Sequence, residues 1–345
     1  MEYRKLGRTD LDISLIGLGT MTWGFQNTQD DGFEQMDYAL ERDVNFFDTA
    51  EMYAVPPSAD TYGKTETIIG NWFAARNNRD KVILASKITG PGLSWIRDGQ
   101  NINKKNIQLA LEGSLKRLQT DYIDLYQLHW PNRGSYHFGQ SWDFSPDFDP
   151  QAEEDNFLEV LHTLQSLINE GKIRHIGLSN ETAWGMSKWL NLAEQNNLPR
   201  MASIQNEYSL LCRYFEPDLS EIALHEDCGL LAWSPLCRGA LSGKYLNGAR
   251  PEGSRLTIEN RPDHRAHDNT DIATQKYVEL AQQHGLDPSQ MALAFVNTRP
   301  FVSSTLIGAT TIQQLKTDID SVEVKLSEEV LNGIAQIRRN FPTPY

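Results

Sequence analysis

The sequence predicts a closed (β/α)8 barrel, on three observations: eight short apolar runs, helical periodicity between them, and a length that one barrel with long loops fills. The runs are mostly apolar at consecutive positions instead of alternating, as strands buried on both faces of a parallel sheet must be. In order they are LIGLG at 15–19, VNFF at 44–47, VILAS at 82–86, IDLYQL at 123–128, IRHIGLS at 173–179, ASIQNE at 202–207, LLAWS at 230–234 and STLIGA at 304–309. Between them, segments such as FEQMDYALERD, KTETIIGNWFAARN, KKNIQLALEGSLKRLQ, NFLEVLHTLQSLINEGK and SEIALHEDCG repeat apolar residues every three or four positions, and Gly or Asn closes several of them. Strands alternating with helices need crossover connections, hence parallel pairing, and eight such units suggest closure into a barrel. No linker divides the 345 residues, so 1–345 is expected to be one domain.

The rival architecture is an open doubly wound sheet with a Gly-rich turn after its first strand. GLGTMTWG at 17–24 offers that turn only superficially, because Thr22 stands where the third glycine of G-x-G-x-x-G belongs. Two long polar stretches, 131–155 and 243–269, interrupt the rhythm after the fourth and seventh strands. In a barrel they fall on the C-terminal face, where active sites form. Trp142, Phe144 and Phe148 favour a loop that covers a substrate over a disordered one.

Composition narrows the function classes. Hydrophobic residues at 39% and charged ones at 23% suit a folded globular chain. A net charge of -14 leaves no basic footprint for nucleic acid or anionic lipid. The first twenty residues lack the apolar core of a signal peptide, and no stretch approaches a membrane span. Three cysteines without C-x-x-C spacing, Cys212, Cys228 and Cys237, argue against a disulfide framework and for a reducing cytoplasm. No feature of the sequence sets an oligomeric state.

Four segments end in a polar residue just past an apolar run: NFFDTAEMY, ILASKI, YQLHW and GLSNE. In a barrel these ends converge, so Asp48 and Tyr53, Lys87 and His129 bring a carboxylate, a phenol, an ammonium and an imidazole together. That set suits giving a proton to a nascent alkoxide. The Lys87 charge is expected to lower the phenol pKa by about 1–3 units, Asp48 to hold the lysine, and His129 to donate to a carbonyl oxygen. Proton donation alone leaves the harder step, hydride delivery, to a cofactor. His264 and His267 beside Asp263 and Asp268 have spacing that could hold a metal, but such residues on a polar loop are more often solvated, and no metal is expected. A metal-dependent hydrolase would need several ligands at strand ends, where only Asp48 and His129 qualify.

With these residues in place, the chain resembles the aldo-keto reductase superfamily. FFDTAEMY at 46–53, ILASKI at 83–88, DYIDLYQLHWP at 121–131, KIRHIGLSN at 172–180, AWSPLCRGALSGKY at 232–245 and IGATTIQQLKTDI at 307–319 carry the resemblance over nearly the whole chain. The long loops look like those of the bacterial Tas-type branch, close to the potassium-channel β-subunit group. The resemblance implies NADPH as cofactor, a small carbonyl substrate, and Asp48, Tyr53, Lys87 and His129 as the catalytic tetrad. It further implies that Ser179, Asn180 and Gln205 bond the nicotinamide carboxamide and that Trp233 stacks on the ring. Ser234, Pro235, Leu236, Cys237, Arg238, Gly239, Ala240, Leu241, Ser242, Gly243 and Lys244 resemble the loop around the pyrophosphate. Arg255 matches the arginine near the 2′-phosphate, and Gly308, Thr310, Gln314 and Asp318 match the adenine end.

The chain departs from its relatives in two places. Thr311 and Gln314 stand where many of them carry a lysine and an arginine for the 2′-phosphate, so Lys244 and Arg255 carry the preference for NADPH over NADH. VPPSAD at 55–60 separates Tyr53 from Tyr62-Gly63, and Tyr62 becomes a rival donor, although the D-T-A-x-x-Y spacing from Asp48 favours Tyr53. Met21 and Trp23, with Trp95, Trp130 and the loop at 131–155, are expected to wall the pocket and to suit a hydrophobic or aromatic carbonyl. A nicotinamide-binding sensor or scaffold with little turnover is the alternative.

Overall fold

The computed structural model describes residues 1–145, 149–259 and 263–345. An antiparallel hairpin comes first, β1 (Tyr3–Lys5) and β2 (Asp12–Ser14). Eight strands follow: β3 (Ile16–Gly19), β4 (Phe46–Asp48), β5 (Ile83–Ile88), β6 (Ile123–Leu128), β7 (Ile173–Ser179), β8 (Met201–Glu207), β9 (Gly229–Trp233) and β10 (Val302–Ile307). Each pairs in parallel with the next, and β10 pairs with both β9 and β3, so the sheet closes into a (β/α)8 barrel. All eight apolar runs of the sequence are barrel strands. The glycines of GLGT lie within or at the end of β3 instead of in a turn, which removes the open-sheet rival.

The helices are α1 (Gln29–Glu41), α2 (Lys64–Arg76), α3 (Lys104–Leu118), α4 (Pro150–Asn169), α5 (Ala183–Gln195), α6 (Asp218–His225), α7 (Arg255–Glu259), α8 (Asp268–Gln283), α9 (Pro288–Asn297), α10 (Ile312–Asp320) and α11 (Glu328–Asn340). Side-chain oxygens cap many of them in the usual way: Thr28 and Asp31 form a capping box on α1, and Asn103, Thr182 and Ser327 accept backbone N–H bonds at α3, α5 and α11. The first turn of α4 begins at Pro150, so the end of the 131–155 stretch is helical; Phe148 lies outside the described residues.

Two cores result. The larger lies between strands and helices and includes Phe47, Trp72, Tyr126, Leu161 and Leu293. The smaller fills the barrel, where Phe46, Ala85, Leu125, Leu231 and Leu306 meet Leu6, Leu11 and Ile13 of the hairpin. That hairpin therefore plugs one end of the barrel. Gly17 is needed there, because a Cβ would come within 2.7 Å of Leu306 and 2.9 Å of Phe46. Cys212, Cys228 and Cys237 are buried and unpaired, and burial pushes every one of the thiols up. Among the described residues no helix is long and apolar enough to cross a membrane.

Candidate active site

Polar side chains set into apolar strands build the site. Asp48 ends β4, Lys87 sits one residue before the end of β5, and His129 follows β6, with its N–H bonded to the Ile88 carbonyl at 3.0 Å. The fully buried Lys87 ammonium spends its three donors on the Asp48 carboxylate (2.7 Å), the Thr49 carbonyl (2.7 Å) and the Tyr53 hydroxyl (3.4 Å). The other Asp48 oxygen accepts from the amides of Gln127 (3.1 Å) and Gln205 (2.8 Å). His129 meets Tyr53 edge to face, with ring centroids 5.7 Å apart. The four residues singled out from the sequence thus converge. Sequence reasoning missed Gln127, which lies two residues before His129 and shares its face of the strand; a polar residue inside an apolar run was the available signal.

The electrostatics differ from the sequence expectation in one respect. Burial raises the Tyr53 pKa and outweighs the opposing pull of Lys87, so the phenol is less acidic than a free tyrosine. Burial acts to lower the Lys87 pKa, but the Asp48 carboxylate overrides it and the net shift is upward. Burial, then the Lys87 charge, pushes His129 well below its ordinary value, so the imidazole is neutral at pH 7. Its Nδ1 is buried without a hydrogen-bond partner among the described residues.

The rival Tyr62 faces other partners. Its hydroxyl donates to Glu51 at 3.0 Å, Glu51 is clamped by Arg97, and burial with the Glu51 charge pushes the phenol up to about 12. Tyr53, not Tyr62, lines the main cavity.

That cavity holds about 960 Å³. Asp48, Tyr53 and His129 stand in its wall with Ser179, Asn180, Gln205 and Trp233, while Lys87 lies behind them. Ser179 donates to the Gln205 carbonyl (2.9 Å), Asn180 to the His129 carbonyl (2.9 Å) and to Ser179 Oγ (3.0 Å), and Trp233 Nε1 to Asn180 Oδ1 (3.2 Å). Met21, Met52, Leu93, Trp130 and Phe138 make an apolar side, with Phe138 stacked on Trp233 at 6.1 Å. Trp23 does not join them: it is fully buried, and its indole donates to Gln35 of α1 at 3.3 Å. Trp95 is 42% exposed and outside the wall, as is Trp142 at 70%.

After β9 the chain turns repeatedly, with positive φ at Ser234, Cys237, Arg238, Gly239 and Gly243. Turns of this kind can present N–H groups to an anion, but those of Cys237, Gly239, Leu241 and Gly243 already bond carbonyls within the turns. Ser234, Pro235, Leu236, Arg238, Gly239, Ser242 and Lys244 reach the cavity wall; Cys237, Ala240, Leu241 and Gly243 do not, and Cys237 and Leu241 pack into the core instead. Arg238 pairs with Glu259 and with Asp263 (3.0 Å), Arg255 with Glu259 (2.7 Å), and Arg265 with Glu207 (2.8 Å). Arg255, His264 and Arg265 bring the second long stretch into the wall, and residues 131–135 with Phe138 and Gln140 bring the first. His267 instead caps α8.

At the far end stand Gly308, Thr310, Gln314 and Asp318. Thr310 donates through both N–H and hydroxyl to Gln314 Oε1 at 3.0 Å, and Thr311 caps α10. Asp318 is buried among its neighbours, and it lines the cavity. Burial, then Asp287, raises its pKa to about 7 against the pull of Lys244. A cavity with bonded amides and an indole at one end, the cations Arg238, Lys244 and Arg255 in the middle, and a buried carboxyl at the other fits a dinucleotide.

A model of the Aldo/keto reductase family matches residues 15–339. Protein tas of Escherichia coli is 48% identical over 350 residues, covering all of this chain and 99% of that protein. The uncharacterized oxidoreductase YrpG of Bacillus subtilis is 35% identical, covering all of this chain and 97% of that one. Norsolorinic acid reductase stcV of Emericella nidulans is 30% identical, over 93% of this chain and 77% of that one. With the match running from the first barrel strand to the last helix, the chain belongs to the aldo/keto reductase family.

Proposed function

We propose that the protein reduces an aldehyde or ketone to the alcohol with NADPH, Tyr53 giving the proton. The observation that carries this reading is the Lys87 ammonium, held 2.7 Å from Asp48 and 3.4 Å from the Tyr53 hydroxyl at the wall of a cavity that His129 also lines. Bound, the dinucleotide supplies the hydride. Tyr53 keeps its proton at neutral pH because burial holds its pKa up, so it meets the substrate as an acid. Asp48 keeps Lys87 charged and fixed, and that charge stabilises the phenolate left behind. Neutral His129 can offer one N–H to the carbonyl oxygen and so orient it.

Ser179, Asn180 and Gln205 would hold the carboxamide, with Trp233 against the ring. The turns from Ser234 to Lys244 would hold the pyrophosphate, Lys244 and Arg255 the 2′-phosphate, and Gly308, Thr310, Gln314 and Asp318 the adenosine. The apolar side formed by Met21, Met52, Leu93, Trp130 and Phe138 suits a hydrophobic or aromatic carbonyl. One relative is named a reductase of norsolorinic acid, and that name supports the same direction. The reading takes residues 1–345 as one working unit in a reducing cytoplasm.

The test is consumption of NADPH, followed optically, with carbonyls graded in size and polarity and with NADH in parallel. Turnover that favours apolar aromatic carbonyls and NADPH is the expected result. Tight NADPH binding without turnover on any of them would replace the reductase by a sensor.

A further inference from the structure

A second cleft, of about 580 Å³, shares no lining residue with the main cavity. Its floor is apolar: Phe295 from α9 and Leu331, Ile334 and Ala335 from one face of α11. Four arginines ring that floor, Arg213, Arg299, Arg338 and Arg339. The guanidinium carbons of Arg213 and Arg299 lie 4.7 and 4.4 Å from the centre of the Phe295 ring. Among the described residues only Arg213 and Arg338 have a carboxylate, and it is the same one, Glu216, at 2.8 and 2.5 Å. Arg299 bonds Thr298 alone through its side chain, and Arg339 has no ion pair among the described residues.

Arg338 and Arg339 in the last turn of α11 complement the helix dipole, which accounts for arginine there. It does not account for two more guanidiniums gathered from other segments over an apolar floor, in a chain of net charge -14. Four like charges with one counterion repel one another, and an anion would relieve that repulsion. Guanidinium groups bind carboxylates through paired N–H bonds and also stack on aromatic planes, and the cleft volume is that of a small-molecule site.

We propose that this cleft is a binding site for a small organic anion with an apolar body, with Arg299 and Arg339 bonding the acid group and Leu331 and Ala335 receiving the body. The probe is naphthalene-2-carboxylate, titrated calorimetrically into the full chain, with naphthalene-2-carboxamide and inorganic phosphate as the uncharged and the bodiless controls. The carboxylate should bind saturably, and both controls should bind about tenfold more weakly or not at all, a factor worth about 1.4 kcal/mol. The variant R299Q/R339Q should lose about tenfold in affinity. Ala335→Trp, which keeps every charge but fills the cleft, should lose as much. NADPH oxidation should be unaltered in both, because neither touches the main cavity. Absence of saturable binding, or binding that both variants leave intact and that therefore belongs elsewhere, would overturn the proposal.

Discussion

The two ends of the main cavity are built on different physical terms. At the Tyr53 end, strand residues hold the polar groups, and each Asp48 oxygen and each Lys87 N–H has a partner within 3.4 Å. Towards the adenosine end, the groups sit on turns and short helices, the cations Arg238 and Arg255 are held in carboxylate pairs, and Asp318 is buried with its pKa raised. A bonded buried pair such as Lys87 and Asp48 is rigid and costly to disturb, whereas groups carried on turns can adjust to a ligand. The first arrangement suits chemistry that must not vary, the second a ligand that has to come and go.

The largest contrast should come from the two tyrosines. Tyr53→Phe should lower kcat by about 10²–10⁴ while NADPH affinity, read by fluorescence titration, stays within a factor of a few. Tyr62→Phe should leave kcat nearly unchanged; equal losses in both would return Tyr62 to candidacy. Next in size, Lys87→Met strands the Asp48 carboxylate in the interior and should destabilise the protein by about 3–5 kcal/mol in urea melts. A melt unshifted from wild type would mean that the Asp48 end is less tightly determined than its bonds indicate.

Asp318 tests the other end. Its folded pKa of about 7 lies above the ordinary 3.8, so the folded state holds the proton more tightly than the unfolded one. Stability from this group is full below about pH 4, declines as pH rises through 7, and stays low above. Asp318→Asn should remove that decline and gain about 1–3 kcal/mol at pH 8. In activity, kcat should be flat from pH 7 to about 9, since His129 titrates below that range and Tyr53 above it, while the KM for NADPH changes near pH 7. A kcat limb near 7 would place a titrating group at the wrong end. The smallest effect is the loss of one phosphate contact: Arg255→Leu should raise the KM for NADPH by about tenfold and leave that for NADH unaltered.

Much of this was legible in the sequence, for a physical reason. Strands covered on both faces must be apolar throughout, so each run at 15–19 through 304–309 announced itself, and the polar residues interrupting or ending those runs marked the inner layer. The hairpin before β3 was missed because each strand has three residues and β1 keeps a largely exposed edge, giving no periodicity to read. Trp23 was misplaced because an indole after a strand reads alike as pocket wall or core, and only α1 decided between them. The ion pairs were illegible: Glu51 meets Arg97, Glu66 meets Arg117 and Glu207 meets Arg265 across 46, 51 and 58 residues. Nothing local distinguishes such residues from solvated charges. The net pKa of Tyr53 was illegible too, since burial depth, which outweighs Lys87, is a property of the folded barrel.

The three buried thiols turn the protein into its own clock. Thiols that are covered and poorly acidic do not react with alkylating reagents until the chain around them opens. Cys237 lies in the turns after β9, Cys212 in the loop after β8, and Cys228 immediately before β9. Their order of modification separates local loosening of the cofactor loops, which would release Cys237 and Cys212 first, from global unfolding, which would release all three together. If NADPH slows only the first two, the cofactor is ordering loops on a barrel that was already formed.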